Sequence, residues 1–317
     1  MLARRVVAPK HARKEIDDVY RRTLLVRAAL VPALTLAPWK GGPAAAQETL
    51  LIEKETDVAY GQSGAAGSDE LILDIYRPPA REDPRPAVVI VFGGGWVERS
   101  KADWSADAEK IAEAGYVVLN LNYRLMKPDG SNPWPDQFDD IQRAVRWVRA
   151  NVETYGVDPE RLGAVGHSSG GQMVGLLGTR ETRDNSDPAL ADYSSRVDAV
   201  VDLAGDMDLM IPFPDAGAND VATKFFGGTR EVVPEVYREA SPLEWVDEET
   251  VPFLILQGSA GDPAFEHSRL MTEALHEAGV EVVYGEFPHV DHISLINWDL
   301  MGPETLAFLG RHLHPER

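Results

Sequence analysis

The sequence of 317 residues contains no cysteine. This absence excludes disulfide bonds, cysteine nucleophiles and thiolate metal sites, as well as a lipid-modified N-terminal cysteine. Internal repeats and long low-complexity tracts are missing too, which favours one large α/β domain. Hydrophobic residues make up 44% of the chain, so a packed core can supply the stability that disulfides do not.

A long hydrophobic run is also missing. The apolar segment 28–38 has 11 residues and contains prolines, whereas about 20 are needed to cross a bilayer. Arg21 and Arg22 precede this segment and alanines 44–46 follow it, an order typical of a twin-arginine export signal with an A-x-A cleavage site. We therefore expect residues 1–46 to be removed and residues 47–317 to be a soluble periplasmic or secreted catalytic domain without stable membrane association. An uncleaved anchor or an amphipathic N-terminal helix is the alternative.

Positive charge is scarce. The chain has 31 Lys and Arg against 51 Asp and Glu, a net charge of −20, and residues 47–317 alone have 22 against 48, a net charge of −26. Such a field repels nucleic acids and anionic membranes. Neither is expected as a partner.

Eight runs of apolar and β-branched residues are predicted to be strands. Helical patterns separate most of the later runs, which indicates a mostly parallel sheet with helices on both faces. The first two runs, LLIEKETDVAYG and ELILDIYRP, are joined by a polar, glycine-rich stretch without a helix. These two strands are expected to form an antiparallel pair at one edge.

Residues 210–251 interrupt this alternation with a proline-rich and aromatic insertion. In α/β enzymes such an insertion commonly covers the catalytic end of the sheet. A cap is therefore one expectation, and a helical excursion without substrate contact is the other.

The stretch GAVGHSSGGQM contains a G-x-S-x-G pattern centred on Ser168. A serine hydroxyl is a weak nucleophile unless it is held exposed and a base accepts its proton. A sharp turn from strand to helix provides the exposure, and glycines two residues before and after the serine let backbone segments approach closely. The apolar run LGAV before the pattern and the small-residue run GQMVGLLG after it favour this turn over an ordinary polar, glycine-rich loop.

A second glycine-rich stretch, FGGGW at 92–96, follows the third predicted strand. Its glycines allow backbone N–H groups to point at the oxyanion of a tetrahedral intermediate. A phosphate-binding loop is the alternative, but no G-K-[ST] follows and the third strand is the wrong place for a dinucleotide fingerprint.

Together with LDIYRP, NYRL, YGVDPERLGAVGHSSGGQM, SPLEW and the final HVDH, these motifs resemble an α/β hydrolase of the esterase/lipase group with an HGGGW-type oxyanion motif. The similarity is to the branch of bacterial feruloyl-esterase-like and acetyl-esterase-like proteins, and it covers nearly the whole chain after residue 46. It implies the α/β-hydrolase fold, an eight-stranded, mostly parallel sheet with helices on both faces and a short capping insertion.

The resemblance also implies a catalytic triad in the chain order Ser, Asp, His. It assigns Ser168 as nucleophile, Asp262 in FLILQGSAGDP as acid and His292 in YGEFPHVDHIS as base. No cofactor or metal is needed for this chemistry. The expected oxyanion donors are the backbone N–H groups of Gly94, Gly95 and Ser169, with Gly93 opening the turn.

Other residues compete for two of these roles. His289 is a second candidate base, and Asp206 and Asp208, after the sixth predicted strand, are candidate acids whose alternative role is to form a turn. His289 and His292 on either side of Asp291 also suggest a metal site, but no second cluster of ligands accompanies them.

Two departures from the family pattern stand out. Phe92 occupies the position of the histidine that usually opens the glycine motif, so a hydrogen-bonding group is missing there. The stretch QGSAGDP is one residue longer than the common HGxxDP and has Gln257 in place of its histidine. Neither change touches the triad, so we expect activity to survive both.

The sequence thus predicts a serine hydrolase that cleaves carboxylic esters with short-chain, acetyl or aromatic acyl groups, either small molecules or esters linked to a polysaccharide. Amide or peptide hydrolysis on the same triad is the first alternative. A non-catalytic binding protein that retains the fold is the second.

Overall fold

The central strands are rich in Val, Ile and Leu and are buried on both faces, as in a parallel sheet between helices. The computed structural model describes residues 51–63, 69–184, 186–260 and 264–314. They belong to one compact unit, Thr49–Arg317. The strands in this part of the chain are β1 Glu53–Ser63, β2 Asp69–Arg77, β3 Arg85–Val91, β4 Val117–Leu121, β5 Val157–His167, β6 Ala199–Leu203, β7 Phe253–Gly258 and β8 Val282–Phe287.

The strands form one sheet in the order β1-β2-β4-β3-β5-β6-β7-β8. β2 pairs antiparallel with β1 and β4, and all other neighbours are parallel. The predicted mostly parallel, eight-stranded sheet with an antiparallel edge pair is confirmed. Because β4 lies on one side of β3 and β5 on the other, the strand order reverses at β3. In α/β proteins the carboxyl ends of the strands at such a point form the usual ligand crevice.

The helices of the described residues are α1 Ser105–Glu113, α2 Asp136–Ala150, α3 Val152–Tyr155, α4 Ser169–Thr179, α5 Ala216–Phe225, α6 Pro234–Glu239, α7 Phe265–Glu277 and α8 Trp298–Leu313. They cover both faces of the sheet. The side chains of Val200 and Asp202 in β6 lie against α4, whereas Gly163 in β5, which pairs with Ala199, lies against Leu309 of α8. Since successive strand residues point to opposite faces, α4 and α8 are on opposite sides.

The C-terminal helix α8 is not among the helices that the sequence patterns predict. Pro303 and two glycines within it lower its helix propensity, which hides the pattern. The local signal that marks its start is Asn297, whose side chain accepts a hydrogen bond from the backbone N–H of Asp299. Packing of Leu309 and Leu313 against Gly163 of β5 stabilises the helix in place.

Candidate active site

Ser168 stands at the turn between β5 and α4. β5 ends at His167 and α4 begins at Ser169, and Ser168 between them has φ 57° and ψ −127°. Such a conformation costs a non-glycine residue on the order of 1–3 kcal/mol and is typical of functional sites. From residue 162 to residue 179, Ser168 is the only residue that is not buried. The turn therefore presents one hydroxyl group on an otherwise buried segment, as the sequence pattern predicts.

The two glycines of the pattern are required by close backbone contacts. A Cβ atom added at Gly166 would lie 2.4 Å from the carbonyl oxygen of Gly170. One added at Gly170 would lie 2.3 Å from the carbonyl oxygen of Val91 and 2.6 Å from that of Phe92. The start of α4 thus packs directly on the end of β3, and side chains at these positions would push the turn out of place.

The glycine-rich loop after β3 lies beside the serine. A Cβ atom added at Gly93 would be 3.1 Å from the Cβ of Ser168. Gly94 and Gly95 have φ values of 125° and 57°, which glycine adopts without strain. The carbonyl oxygen of Gly94 accepts hydrogen bonds from the N–H groups of residues 97 and 98. Because the peptide is planar and trans, the N–H of Gly95 points the opposite way. Because Gly93 is close to Ser168, the predicted oxyanion loop lies beside the first turn of α4, which follows the serine.

Phe92 anchors the base of this loop through an aromatic contact. Its ring is buried and stacks on Tyr123, with the ring centroids 4.3 Å apart. The Tyr123 hydroxyl donates a hydrogen bond of 2.8 Å to the carbonyl oxygen of Phe92. Burial raises the pKa of Tyr123 well above its usual value, so the hydroxyl keeps its proton and remains a donor. At the position where the family pattern has a histidine, the stacked pair of Phe92 and Tyr123 thus holds the backbone in place.

His292 lies next to the nucleophile turn. It follows β8, and its carbonyl oxygen is 2.9 Å from the Nε2 atom of His167, the residue before Ser168. The two imidazole rings are 4.6 Å apart between centroids. His289, the competing base, is exposed and its backbone N–H donates to the Ser259 hydroxyl at 3.1 Å. The contact with the serine turn therefore favours His292 over His289.

Asp291 shapes the loop that carries His292. Its carboxylate accepts hydrogen bonds from the backbone N–H of Ser294 at 2.8 Å, the hydroxyl of Ser294 at 2.9 Å and the backbone N–H of Ile293 at 3.0 Å. The Ser294 hydrogen bonds, the backbone one first, lower the pKa of this carboxyl group. These three hydrogen bonds give Asp291 a structural role in its own loop, so a role as metal ligand is not needed to explain it.

The predicted acid Asp262 lies outside the described residues, but the segment leading to it can be placed. The backbone N–H of Ser259 donates to Phe287, and that of Ala260 donates to Val290 at 3.0 Å. The loop after β7 therefore runs beside the loop that carries His292. The competing Asp208 forms a turn instead, since its carboxylate accepts from the N–H of residue 210.

The insertion 210–251 contains α5 and α6. It contacts both the glycine loop and helix α4, which follows Ser168. Trp96 of the glycine loop stacks on Phe225 of α5, with centroids 4.8 Å apart. Its indole N–H donates to the side-chain oxygen of Gln172 at 3.1 Å, and the Gln172 amide donates to the carbonyl oxygen of Ala240 at 2.7 Å. Sequence reasoning did not single out Gln172, because a buried glutamine in a helix carries no local signal of this contact.

Within the described residues, no group of three or more His, Asp or Glu side chains is arranged to hold a metal ion. In the same part of the chain, every helix is too short or too polar to span a membrane.

The sequence is similar to a known protein family and to two mycobacterial esterases. The BD-FAE family model matches residues 73–275. Esterase LipC of Mycobacterium tuberculosis is 30% identical over 279 residues, 82% of this chain and 65% of LipC. Esterase LipQ of the same organism is 29% identical over 253 residues, 75% of this chain and 56% of LipQ. The match thus spans less than two thirds of the length of either relative.

Solved structures share the fold. A truncated carbohydrate esterase from gut microbiota has a TM-score of 0.72 and 25% identity, covering 86% of this chain and 100% of that one. Thermogutta terrifontis esterase 2 phosphorylated by paraoxon has a TM-score of 0.66 and 25% identity, covering 83% of this chain and 94% of that one. With the observed sheet, these matches confirm the predicted α/β-hydrolase fold.

Proposed function

The chain belongs to the BD-FAE family, and on that premise we propose that it is a serine esterase that cleaves carboxylic esters through an acyl-enzyme on Ser168. The observation that carries the proposal is the strained, half-buried Ser168 between the glycine loop and the His292 loop. The esterase names of LipC and LipQ support the same reaction class.

The proposal assigns each step of the reaction to a residue of this chain. His292 accepts the proton of Ser168 as the hydroxyl attacks the ester carbonyl, and it returns that proton to the leaving alcohol. Asp262 holds the imidazole in the required tautomer and stabilises its charged form. The backbone N–H groups of Gly94, Gly95 and Ser169 stabilise the oxyanion, and a water molecule then hydrolyses the acyl-enzyme by the same proton path.

The acyl group is short, acetyl or aromatic, and the ester is a small molecule or is carried on a polysaccharide. Two large aromatic side chains of the insertion pack against each other and against Trp96: Phe225 is fully buried and Phe226 is 4% exposed. They leave little open apolar surface for a long acyl chain. The structural similarity to a carbohydrate esterase supports a saccharide-linked ester.

Residues 1–46 act as an export signal in this proposal, with Arg21 and Arg22 as the twin-arginine pair. Expression of the full chain in a bacterium with twin-arginine export, followed by N-terminal sequencing of the periplasmic product, tests it. The expected N-terminal residue is Gln47, and a cytoplasmic, uncleaved product contradicts the proposal.

The esterase proposal is tested with p-nitrophenyl esters from acetate to dodecanoate and the chain starting at Gln47. We expect acetate or butyrate to be hydrolysed fastest, and Ser168→Ala to lower kcat by about a thousandfold or more. Ser194→Ala, which removes an exposed serine from a remote loop, is the matched control and should retain the activity.

Two further measurements separate the alternatives. If a p-nitroanilide of the same acyl group is turned over faster than the ester, the protein is an amidase. If neither is hydrolysed and an organophosphonate fails to label Ser168, the serine is not activated. The hypothesis of a non-catalytic binding protein then replaces the esterase proposal.

A further inference from the structure

Trp96, the last residue of the stretch FGGGW, has a backbone conformation that is unfavourable for a bulky side chain. Its φ is 67°, in the left-handed region, and it directly follows Gly95, whose N–H is an expected oxyanion donor. The side chain is only 3% exposed. Because a strained residue keeps such a conformation only where its surroundings hold it, the contacts of Trp96 bear on the geometry of the glycine loop.

A hydrogen bond joins Trp96 to the first turn of α4. Its indole N–H donates to the Oε1 atom of Gln172 at 3.1 Å. Gln172 is fully buried, and its backbone N–H donates to the carbonyl oxygen of Ser168 at 3.0 Å. Gln172 therefore lies one helical turn after the nucleophile, and its side chain connects the residue after Gly95 to that turn.

The other end of the Gln172 amide contacts the insertion 210–251. Its Nε2 atom donates to the carbonyl oxygen of Ala240 at 2.7 Å. The indole N–H of Trp96 can only donate and this carbonyl oxygen can only accept, so the group between them must do both. A primary amide does so. An apolar side chain in its place would leave a buried donor and a buried acceptor unpaired, which is unfavourable.

We infer that Gln172 is a positioning residue for the glycine loop. Its amide holds the indole of Trp96 against α4 and thereby fixes the N–H groups of Gly94 and Gly95 relative to Ser168. Gln172 acts through Trp96 and not on the reacting atoms. The inference rests on the proposed esterase function and specifies how the oxyanion site of that function is kept in place.

The insertion then supports catalysis whether or not it contacts the substrate. Ala240, which accepts from Gln172, and Phe225, which stacks on Trp96, both belong to it. The glycine loop is therefore held from two sides, by α4 and by the insertion.

The variant Gln172→Met tests the inference, because it removes both side-chain hydrogen bonds and nearly preserves the length of the side chain. We expect kcat for p-nitrophenyl butyrate to fall about tenfold or more with KM nearly unchanged, since a displacement of about 1 Å at the reacting centre costs up to a hundredfold. The Ki of a trifluoromethyl ketone with the same acyl chain should rise about tenfold or more, because its adduct with Ser168 places an oxyanion against the glycine loop. The pKa values of the kcat/KM profile should not change, since the triad is untouched.

Gln142→Met is the matched control. Gln142 is also a buried glutamine in a helix, and its amide is hydrogen-bonded to the Ser195 hydroxyl and to the backbone N–H of Arg183. These partners follow the C-terminal end of α4, whereas Ser168 precedes its N-terminal end. The control should lower the free energy of unfolding in urea, as Gln172→Met does, and keep kcat and Ki within about twofold of the parent. Since Ki does not depend on the fraction of folded protein, a Gln172 with only a structural role would behave like this control.

Trp96→Phe identifies the path of the effect. Phenylalanine can still stack on Phe225 but has no N–H to donate. Trp96→Phe should raise the Ki as Gln172→Met does, and the double variant should show a further increase of about twofold or less. Trp96→Phe also tests the hydrogen bond if Gln172→Met does not fold.

Three results overturn the inference: a parental Ki in Gln172→Met, a Ki that rises equally in Gln142→Met, or effects of Gln172→Met and Trp96→Phe that multiply fully in the double variant. In each case ester hydrolysis by the parent still depends on Ser168, so the proposed function stands. If the parent hydrolyses no ester and does not bind the ketone, the proposed function fails and this inference fails with it.

Discussion

The Nε2 atom of His167 lies 2.9 Å from the carbonyl oxygen of His292 and joins the nucleophile turn to the loop of the predicted base. To donate to a carbonyl oxygen, Nε2 must carry a proton. The contact joins residues 125 positions apart in the chain, immediately before the serine and at the predicted base itself. His167 therefore affects the reaction indirectly, because its hydrogen bond positions the backbone of His292.

Replacing His167 should therefore affect catalysis more than binding. For His167→Ala we expect kcat to fall about tenfold or more with KM nearly unchanged, since a displacement of about 1 Å at a reacting group costs up to a hundredfold. His167→Asn, which retains a donor, should recover part of the loss. His289→Ala removes the exposed histidine of the same loop and should leave kcat within about twofold of the parent. A larger loss in His289→Ala than in His167→Ala contradicts the assignment.

The identity of the acid can be determined by paired substitutions. Asp262→Asn should lower kcat by roughly three to four orders of magnitude, because an amide cannot hold the histidine in the productive tautomer. Asp208→Asn keeps the oxygen that accepts from residue 210 and should retain most of the activity. Steady-state kinetics on one short ester measures both, and the opposite ranking would move the acid to the end of β6.

Even a methyl side chain at position 170 should lower the stability of the protein. For Gly170→Ala, the contact of 2.3 Å with the carbonyl oxygen of Val91 cannot be relieved without moving β3 or α4. We expect the free energy of unfolding to fall by about 1–3 kcal/mol and activity to fall with it, as the turn is displaced.

Gly310→Ala is the matched control for this substitution. Its added Cβ would be 4.0 Å from the hydroxyl of Tyr116, an ordinary contact between α8 and the residue before β4. It should raise the free energy of unfolding by about 0.5–1 kcal/mol, because glycine disfavours a helix interior. Urea denaturation measures both variants, and equal effects would show that close backbone packing does not explain Gly170.

His312 should make the protein less stable in mild acid. Burial lowers its pKa, an effect that Glu281, 3.6 Å from Nε2, partly offsets. The unfolded chain therefore binds a proton at a higher pH than the folded chain, so the free energy of unfolding falls as the pH drops below about 6.5.

Removal of the His312 imidazole should weaken the pH dependence of the free energy of unfolding. Thermal unfolding between pH 7.5 and 5.5 (a range of about one unit on either side of the histidine pKa) should show a smaller loss of stability for His312→Gln than for the parent. His276→Gln, which removes an exposed histidine from α7, controls for the loss of one imidazole. If His276→Gln reduces the loss as much as His312→Gln does, burial of His312 is not the cause.

The sequence alone determined the strands, most of the helices and the serine turn. Alternating polarity and apolar runs are local properties, and a Cβ atom at Gly166 would meet the carbonyl oxygen of Gly170 in the same turn, so a short window carries the information. Helix α8 was missed because Pro303 weakens its local pattern, and packing against Gly163 compensates for that weakness.

Tertiary structure alone decided which distant residues meet. The contact of His167 with His292 and the connection from Trp96 through Gln172 to Ala240 both depend on the strand order. That order results from the packing of the whole sheet between its helices, and no short stretch of sequence specifies it. The local pattern therefore determined a nucleophile, and the fold decided what surrounds it.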